Sequence, residues 1–304
     1  MANTRSITLS SGSNQYALRA DNASLSITGN ITIEAWVKFN SFPANGFGMD
    51  MVSKIDGVTQ NSYAFYVFNN AGTYLLSFFY SSDGSNGSTC FLSFSPSLST
   101  WIHMAMVFTA ATGVVEFFVN GASIGTFAGS FTSIFNSTTD FNVGRRPSGI
   151  NYFNGLLDEV RVWNGLRTST EIGANYQREL AGNETNLAAY YKFNNSYNDA
   201  TANANNLTPS GTPVFTTDVP FADATSTSTT STSSSTSTST TSLSSSTSKS
   251  TSTSTSRTQS QTTSTSTTST SRTTSSTSTS RTTTSTSTTS TSTTLDLTFS
   301  VELI

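Results

Sequence analysis

The chain has 304 residues, of which 34% are hydrophobic and only 10% are charged, and its formal net charge is −3. This sparse and slightly acidic charge argues against nucleic acid as the main partner, because that partner requires a concentrated basic surface. No apolar run reaches the roughly 20 residues that a membrane-spanning helix needs, so none is predicted.

Apolar and polar residues alternate through the first 223 residues with the period of two that is typical of β-strands. The strongest β-hairpin signal is Asn120-Gly121, which separates two such runs. Strands are predicted at 6–9, 16–18, 31–39, 62–68, 74–80, 88–94, 101–109, 114–119, 122–127, 141–143, 156–163, 187–193 and 214–215. Strands this short and numerous predict an all-β fold, a two-sheet antiparallel β-sandwich.

One short helix is predicted at 169–180. Thr168 can serve as its N-cap, and Glu171 can reach back to close a capping box. Gly182 stands where a C-terminal glycine belongs. Three apolar residues recur at helical spacing: Ile172, Tyr176 and Leu180.

Three stretches resemble laminin-G-like domains, which belong to the concanavalin A-like lectin/glucanase superfamily. Tyr152–Trp163 (YFNGLLDEVRVW) is similar to the closing signature of these domains, and Ile31–Phe39 (ITIEAWVKF) to their early core strand. Trp101–Asn120 resembles their central strand pair. The resemblance covers residues 6–222 and implies a jelly roll for a domain at 1–223.

Residues 224–294 differ in composition from the body that precedes them. Ser and Thr make up 63 of the 70 residues in 225–294. Such a segment has almost no apolar surface to bury, so a disordered stalk is predicted.

The last ten residues, 295–304 (LDLTFSVELI), again alternate apolar and polar side chains and predict a short amphipathic β-segment. One interpretation is an anchor that adds a strand to a sheet of a protein partner. The other is the first strand of a truncated domain.

Catalytic residues are not predicted. The E-x-D-x-x-E motif of glucanase relatives is absent, and the adjacent Asp158 and Glu159 are expected to point to opposite faces of one strand. His103 is the only histidine and lies within an apolar strand, which favours a structural role. The single cysteine, Cys90, excludes an intrachain disulfide and is interpreted as a small buried hydrophobe.

Ligand contacts are predicted at aromatic residues in polar, glycine-rich surroundings, because a sugar stacks on a ring while nearby amides bind its hydroxyls. These candidates are Phe47, Tyr80 and Tyr152. The alternative is that each ring anchors a loop at the sandwich edge. The three tryptophans are instead expected in the core: Trp36, Trp101 and Trp163.

Calcium is the one cofactor that the resemblance implies. In laminarinase-type relatives a late strand supplies an aspartate to a structural calcium ion, and Asp158 stands at the matching position. The alternative is that Asp158 accepts hydrogen bonds from backbone N–H groups or pairs with Arg161.

The sequence therefore predicts a non-catalytic recognition module that binds glycans or glycoproteins and is displayed on a stalk at a cell surface or virion. A structural decoration protein that uses the jelly roll for protein contacts is the alternative, and a glycoside hydrolase is a third. The first residues lack an apolar h-region, so no classical signal peptide is predicted. Release by lysis, as for a virus particle, or a signal peptide outside this sequence would account for an extracellular location.

Overall fold

Two antiparallel β-sheets pack face to face in the computed structural model, which describes residues 3–221. The predicted stalk at 224–294 and the predicted β-segment at 295–304 lie outside the described residues, as do residues 1–2 and 222–223. The described part has fifteen strands and one α-helix. The sandwich predicted from the sequence pattern is therefore confirmed.

In chain order the elements are β1 (Ser6–Leu9), β2 (Tyr16–Arg19), β3 (Ile31–Phe39), β4 (Gly48–Ser53), β5 (Tyr63–Asn70), β6 (Thr73–Ser81), β7 (Gly87–Phe94), β8 (Trp101–Thr109), β9 (Val114–Val119), β10 (Ala122–Ala128), β11 (Phe141–Val143), β12 (Gly155–Trp163), α1 (Ser169–Asn175), β13 (Leu187–Tyr191), β14 (Thr208–Ser210) and β15 (Val214–Thr216).

The strands divide into two sheets, and the chain passes from one sheet to the other repeatedly. Sheet A has the order β10-β9-β8-β3-β12-β1-β15, and β13 pairs with β12 beside β1. Sheet B has the order β14-β2-β11-β4-β5-β6-β7. Strands distant in sequence thus become neighbours, which is how a jelly roll closes its two sheets around one core.

The core lies between the sheets and is built from alternate residues of each strand. In β3, the odd-numbered side chains from Ile31 to Phe39 are all fully buried in this core. Each large apolar side chain buried in this way contributes roughly 1.5–3 kcal/mol. The even-numbered residues of β3 face away from sheet B, so sheet A has a second, outer face.

Helix α1 covers part of that outer face. Ile172 packs against Ala105, Val107 and Phe118 of the strands beneath it. Among residues 3–221, no helix has the length and apolar character needed to cross a membrane. Trp36 and Trp163 are buried as expected, but on this outer face rather than between the sheets, and Trp101 is half-buried.

The start of α1 is as predicted, but its end is not. The Thr168 hydroxyl accepts a hydrogen bond from the Glu171 N–H at 3.2 Å, and Glu171 Oε2 accepts from the Thr168 N–H at 2.8 Å. The helix stops at Asn175 instead of residue 180. The guanidinium of Arg161 donates to the carbonyls of Asn175 and Arg178 at 3.1 and 2.6 Å, so a side chain binds carbonyls that a longer helix would pair with its own backbone N–H groups.

Candidate functional site

Polar and aromatic side chains gather on the outer face of sheet B, where three of its strands meet a loop. We call this surface the arginine–tyrosine patch. It comprises Tyr16, Asp50, Tyr66, Arg145, Arg146, Asn151 and Tyr152. Strand β2 supplies the first residue, β4 and β5 the next two, and the loop between β11 and β12 the remaining four.

The loop at 144–154 is held on this face by its own backbone. Gly144 has φ 87°, and a Cβ there would meet the Leu9 side chain at 2.3 Å, so only glycine fits. The loop is closed by a hydrogen bond from the Arg146 N–H to the Ile150 carbonyl at 3.0 Å. Phe153 then enters the core and fixes its far end. The loop therefore presents its side chains from a defined backbone.

Arg145 lies over an aromatic ring in the patch. Its guanidinium carbon is 3.5 Å from the centroid of the Tyr16 ring. Its Nε donates to Asn142 Oδ1 at 2.9 Å, and its Nη1 donates to the Tyr152 hydroxyl at 3.4 Å. The Tyr16 and Tyr152 rings are 6.2 Å apart, edge to face. Stacking and hydrogen bonds together fix the plane of the guanidinium.

Arg146 is paired with the fully buried Asp50. Arg146 Nε donates to Asp50 Oδ2 at 3.2 Å, and Asn151 Nδ2 donates to Asp50 Oδ1 at 3.0 Å. Burial raises the pKa of Asp50, while the charge of Arg146 and the hydrogen bonds from Arg146 and Asn151 act in the opposite direction. The Arg146 guanidinium also lies 5.5 Å from the Tyr66 ring. Because the charges of Arg146 and Asp50 cancel, this part of the patch is polar but carries no net charge.

Such an arrangement suits the binding of a polar ligand. Half-buried rings at Tyr16 and Tyr152 can contact the C–H face of a sugar, and the guanidinium, amide and phenol groups beside them can bind hydroxyl or anionic groups.

Two of the three predicted ligand-binding residues lie at or beside this patch. Tyr152 belongs to it. Phe47 is 62% exposed and precedes Gly48, where a Cβ would stand 3.0 Å from Asn151 Nδ2. The segment carrying Phe47 therefore borders the patch.

The prediction is wrong for Tyr80. This residue is fully buried, its hydroxyl donates to the Phe131 carbonyl at 2.8 Å, and its ring packs 4.6 Å from that of Phe108. Tyr80 occupies an inward-facing position of β6, so its ring contributes to the core and cannot meet a ligand in this structure.

Sequence reasoning missed the arginines of the patch and the strand residues that support them. The available signal was the run Arg145-Arg146-Pro147-Ser148-Gly149, two adjacent cations in a turn-forming stretch of an acidic body. Asp50 and Tyr66 lie in apolar strands and carried no comparable signal.

Asp158 and Glu159 do not point to opposite faces as predicted. Leu157 and Val160 both belong to the core, and the pairing of β12 with β3 shifts by one residue between Asp158 and Arg161. This β-bulge turns both carboxylates to the outer face of sheet A, where both are buried. Glu159 has φ 51° as part of the same distortion.

The surroundings of Asp158 contain oxygen atoms but few side-chain ligands. Asp158 accepts hydrogen bonds from Asn3 Nδ2 and from the Glu159 N–H, each at 2.9 Å. Arg161 pairs with Glu159 at 2.7 Å rather than with Asp158. Burial and the neighbouring Glu159 charge raise the pKa of Asp158 well above its usual value.

The fit of a calcium ion at Asp158 depends on oxygen donors, which calcium prefers. The Oδ1 atom of Asn3 is buried and has no hydrogen-bond partner. Within residues 3–221 no group of three or more His, Cys, Asp or Glu side chains is placed to hold a metal. Asp158 and Asn3 thus offer oxygen atoms of the type that calcium prefers. Backbone carbonyls or water would have to complete the coordination.

His103 lies beneath helix α1 in a closed polar cluster. Its Nε2 is 3.3 Å from Glu34 Oε2, and its ring packs against those of Trp36 and Tyr176 at 5.6 and 5.4 Å. The residue is 1% exposed. This burial fits the structural role expected from the sequence.

Comparisons with known proteins found several similar chains. A segment of 171 residues, 55% of this chain, is 24% identical to the adhesion G-protein coupled receptor V1 of Danio rerio, of which it covers only 3%. A putative carbohydrate binding protein from Bacteroides ovatus has a similar structure, with a TM-score of 0.53 and 20% identity over 73% of this chain and 62% of that one. The heptameric SAP-like pentraxin of Limulus polyphemus matches with a TM-score of 0.47 and 13% identity, over 72% of this chain and 97% of that one.

The match to a protein family is more extensive. The family model for laminin-G-type domains, described as the concanavalin A-like lectin/glucanases superfamily, matches residues 11–173, which is more than half of the chain. These residues run from the turn after β1 into helix α1 and include the whole loop at 144–154. The chain therefore belongs to the concanavalin A-like lectin/glucanases superfamily, as a laminin-G-like member.

Proposed function

We propose that the described body is a non-catalytic recognition module that binds glycans or glycoproteins through the arginine–tyrosine patch. The observation that carries this proposal is the grouping of the half-buried Tyr16 and Tyr152 rings around Arg145 on an outer sheet face. Membership of a superfamily that contains lectins supports it. So does the fold shared with a putative carbohydrate binding protein.

The proposal includes display at a cell surface or on a virion. The Ser/Thr composition of 224–294 supports this part, because a segment of that composition suits a spacer between a binding head and its attachment point. The β-segment at 295–304 would attach the chain to a protein partner.

Two other functions remain as alternatives. In the first, the sandwich is a structural decoration that makes only protein contacts. In the second, it is a glycoside hydrolase, a class that the superfamily also contains. The burial of Asp158 and Glu159 favours binding over hydrolysis, because a glycosidase carboxylate must reach the scissile bond.

The test is a glycan-array screen of the full chain, followed by affinity measurements on the best ligand. Tyr152→Ala should weaken binding roughly tenfold, because a ring contact of about 1.4 kcal/mol is lost. The matched control is Phe91→Ala, which removes a ring that is 38% exposed on β7, at the far edge of the same sheet. This control should bind as the unaltered chain does.

Other outcomes would favour the alternatives. A folded chain that binds no glycan but assembles stably with a particle would favour the structural decoration. Turnover of β-glucans would favour the hydrolase. Equal losses of glycan affinity in both variants would indicate that the glycan site lies outside the patch.

We also propose that Asp158 holds a structural calcium ion, with Asn3 Oδ1 as a second ligand. Two observations support this: the oxygen chemistry of the pair and the unpartnered Asn3 Oδ1. The ion would fix the N-terminal segment on the outer face of sheet A.

A further inference from the structure

We propose that the arginine–tyrosine patch selects glycans that carry a carboxylate, and that Arg145 is the residue that binds this group. The inference rests on the proposed function and names the ligand class for the same surface. It is carried by a cation that forms no salt bridge within residues 3–221, is held by hydrogen bonds and an aromatic ring, and is partly open to solvent.

Of the described arginines that form no salt bridge, Arg145 is the one whose guanidinium lies over an aromatic ring; the others are Arg5, Arg19 and Arg178. Its neighbour Arg146 is bonded to Asp50, Arg161 to Glu159, and Arg167 to Glu171. Arg145 forms no salt bridge with any described residue, and its side-chain donors meet only an amide and a phenol. The first 224 residues contain 15 acidic and 10 basic side chains, so carboxylates are not scarce. Because Asp50 neutralises Arg146, Arg145 leaves the patch with a net positive charge.

The guanidinium of Arg145 is fixed before any ligand arrives. Asn142, which accepts from its Nε, is fully buried, and its own Nδ2 donates to the Asp140 carbonyl at 3.2 Å. That second bond sets the orientation of the amide. The Tyr16 ring covers one face of the guanidinium at 3.5 Å. A free arginine loses rotamer entropy when it is immobilised, and here that loss has occurred on folding.

The free N–H groups of Arg145 match the shape of a carboxylate. A guanidinium has five N–H donors, and the protein uses two of them, one on Nε and one on Nη1. The remaining donors include one on Nη1 and two on Nη2, the end-on pair that can bind both oxygens of a carboxylate. Nη2 has no hydrogen-bond partner among the described residues and is not one of their buried unpartnered polar atoms, so it is accessible to solvent.

Tyr152 completes the site. Its hydroxyl accepts the hydrogen bond from Arg145 Nη1 and keeps its own O–H to donate to the ligand. Its half-buried ring stands beside the guanidinium, where the sugar that carries the carboxylate would rest. A neutral sugar could use the ring and the phenol, but it would leave the guanidinium without an anion.

The experiment compares ligands that differ only in charge. The full chain is titrated with oligogalacturonate, with sialyllactose, and with the carboxyl-reduced form of each, and lactose sulfate is included as a different anion. The readout is the ratio of affinities for a carboxylated ligand and its reduced form. We expect at least one pair to show a ratio of ten or more, decreasing as salt is added because the interaction is ionic.

Variants locate the effect. Arg145→Gln should bring the ratio close to one, and Arg145→Lys should give an intermediate ratio because an ammonium cannot form the paired end-on contact. The matched control is Arg178→Gln, which removes an exposed arginine that follows α1 and is bonded to Asn175. It should keep the full ratio. If Arg145→Gln does not fold, Arg145→Lys alone decides the question.

The possible failures are distinguishable. If the chain binds glycans but treats both members of each pair alike, the selectivity inference is overturned and the proposed function stands. A preference for lactose sulfate over both carboxylated ligands would also overturn it. If a folded chain binds none of these glycans and none on the array, the proposed function fails and the inference fails with it.

Discussion

At the scale of single residues, the cluster beneath α1 shows how this fold accommodates buried charge. Glu34, His103 and Arg161 face one another on adjacent strands, and Arg161 also binds Glu159. Burial raises the pKa of Glu34, but the His103 imidazole 3.3 Å away, the charge of Arg161 and the hydrogen bond from Trp163 outweigh that effect and hold it below its usual value. Burial lowers the pKa of His103, against the opposing effect of Glu34.

The single histidine makes the pH dependence of stability testable. Because the pKa of His103 is lower in the folded chain than the unfolded value of about 6.5, its contribution to stability is present above that pH and decreases as pH falls below it. We expect the free energy of unfolding of the unaltered chain to fall relative to His103→Gln as pH drops below 6.5, by at most about 1.4 kcal/mol per pH unit.

Urea unfolding of both proteins from pH 5 to pH 8 measures this difference. Asp158 and Glu159, whose pKa values are raised by burial, titrate in both proteins and largely cancel in the comparison. Parallel curves for the two proteins would contradict the prediction.

The sequence was least informative about which individual side chains are buried and which are exposed. Tyr80 and Tyr152 both stand next to turn-forming residues, and nothing in the sequence distinguishes them. Whether each ring is buried or exposed depends on which face of a sheet it meets: Tyr80 faces the core from β6, and Tyr152 lies in a loop on the outer face of sheet B. The pairing of strands far apart in sequence decides this, and alternation within one strand cannot reveal it.

At the scale of elements, local patterns predicted the strands well. The bounds of β3, β8 and β9 are those expected from period-two alternation. The bulge in β12 escaped prediction, since one additional residue at Asp158-Glu159 leaves no mark in the alternation of an apolar run. The early end of α1 could not be predicted either, because it depends on Arg161 of β12, which donates to the Asn175 and Arg178 carbonyls.

The capping box of α1 is a local feature whose contribution can be measured. Thr168→Ala removes the side-chain acceptor of the Glu171 N–H. We expect the free energy of unfolding to fall by about 1 kcal/mol. The control is Thr170→Ala, an exposed threonine one position inside the helix, which should change it by no more than about 0.5 kcal/mol. Urea unfolding at neutral pH gives both values, and equal losses would show that the cap contributes nothing specific.

At the scale of the whole molecule, the two outer faces of the sandwich are used differently. Helix α1 and the last described residues cover much of sheet A: Asp218 binds Lys38 and Trp101, and Phe221 packs against Trp36. The arginine–tyrosine patch on sheet B keeps partly exposed rings and donors. One face therefore consolidates the fold, and the other is available to a ligand. A sequence with strands of similar composition in both sheets could not indicate which face would remain open.

This division implies that a calcium ion at Asp158 would act on stability rather than at the proposed glycan site. Binding to the native state alone stabilises it by about 2.7 kcal/mol at a hundredfold excess over Kd, which for a domain of this size corresponds to roughly 5–10 °C in Tm. We expect the Tm of the full chain to rise by this order when chelator is replaced by millimolar calcium. Asp158→Asn should abolish the rise, because the charged ligand is gone. Asp56→Asn, which alters a carboxylate bonded to the backbone N–H groups of Val58 and Gln60, should keep it. A Tm that is the same in calcium and in chelator would contradict the calcium proposal and would leave the raised pKa of Asp158 as a cost of its burial beside Glu159.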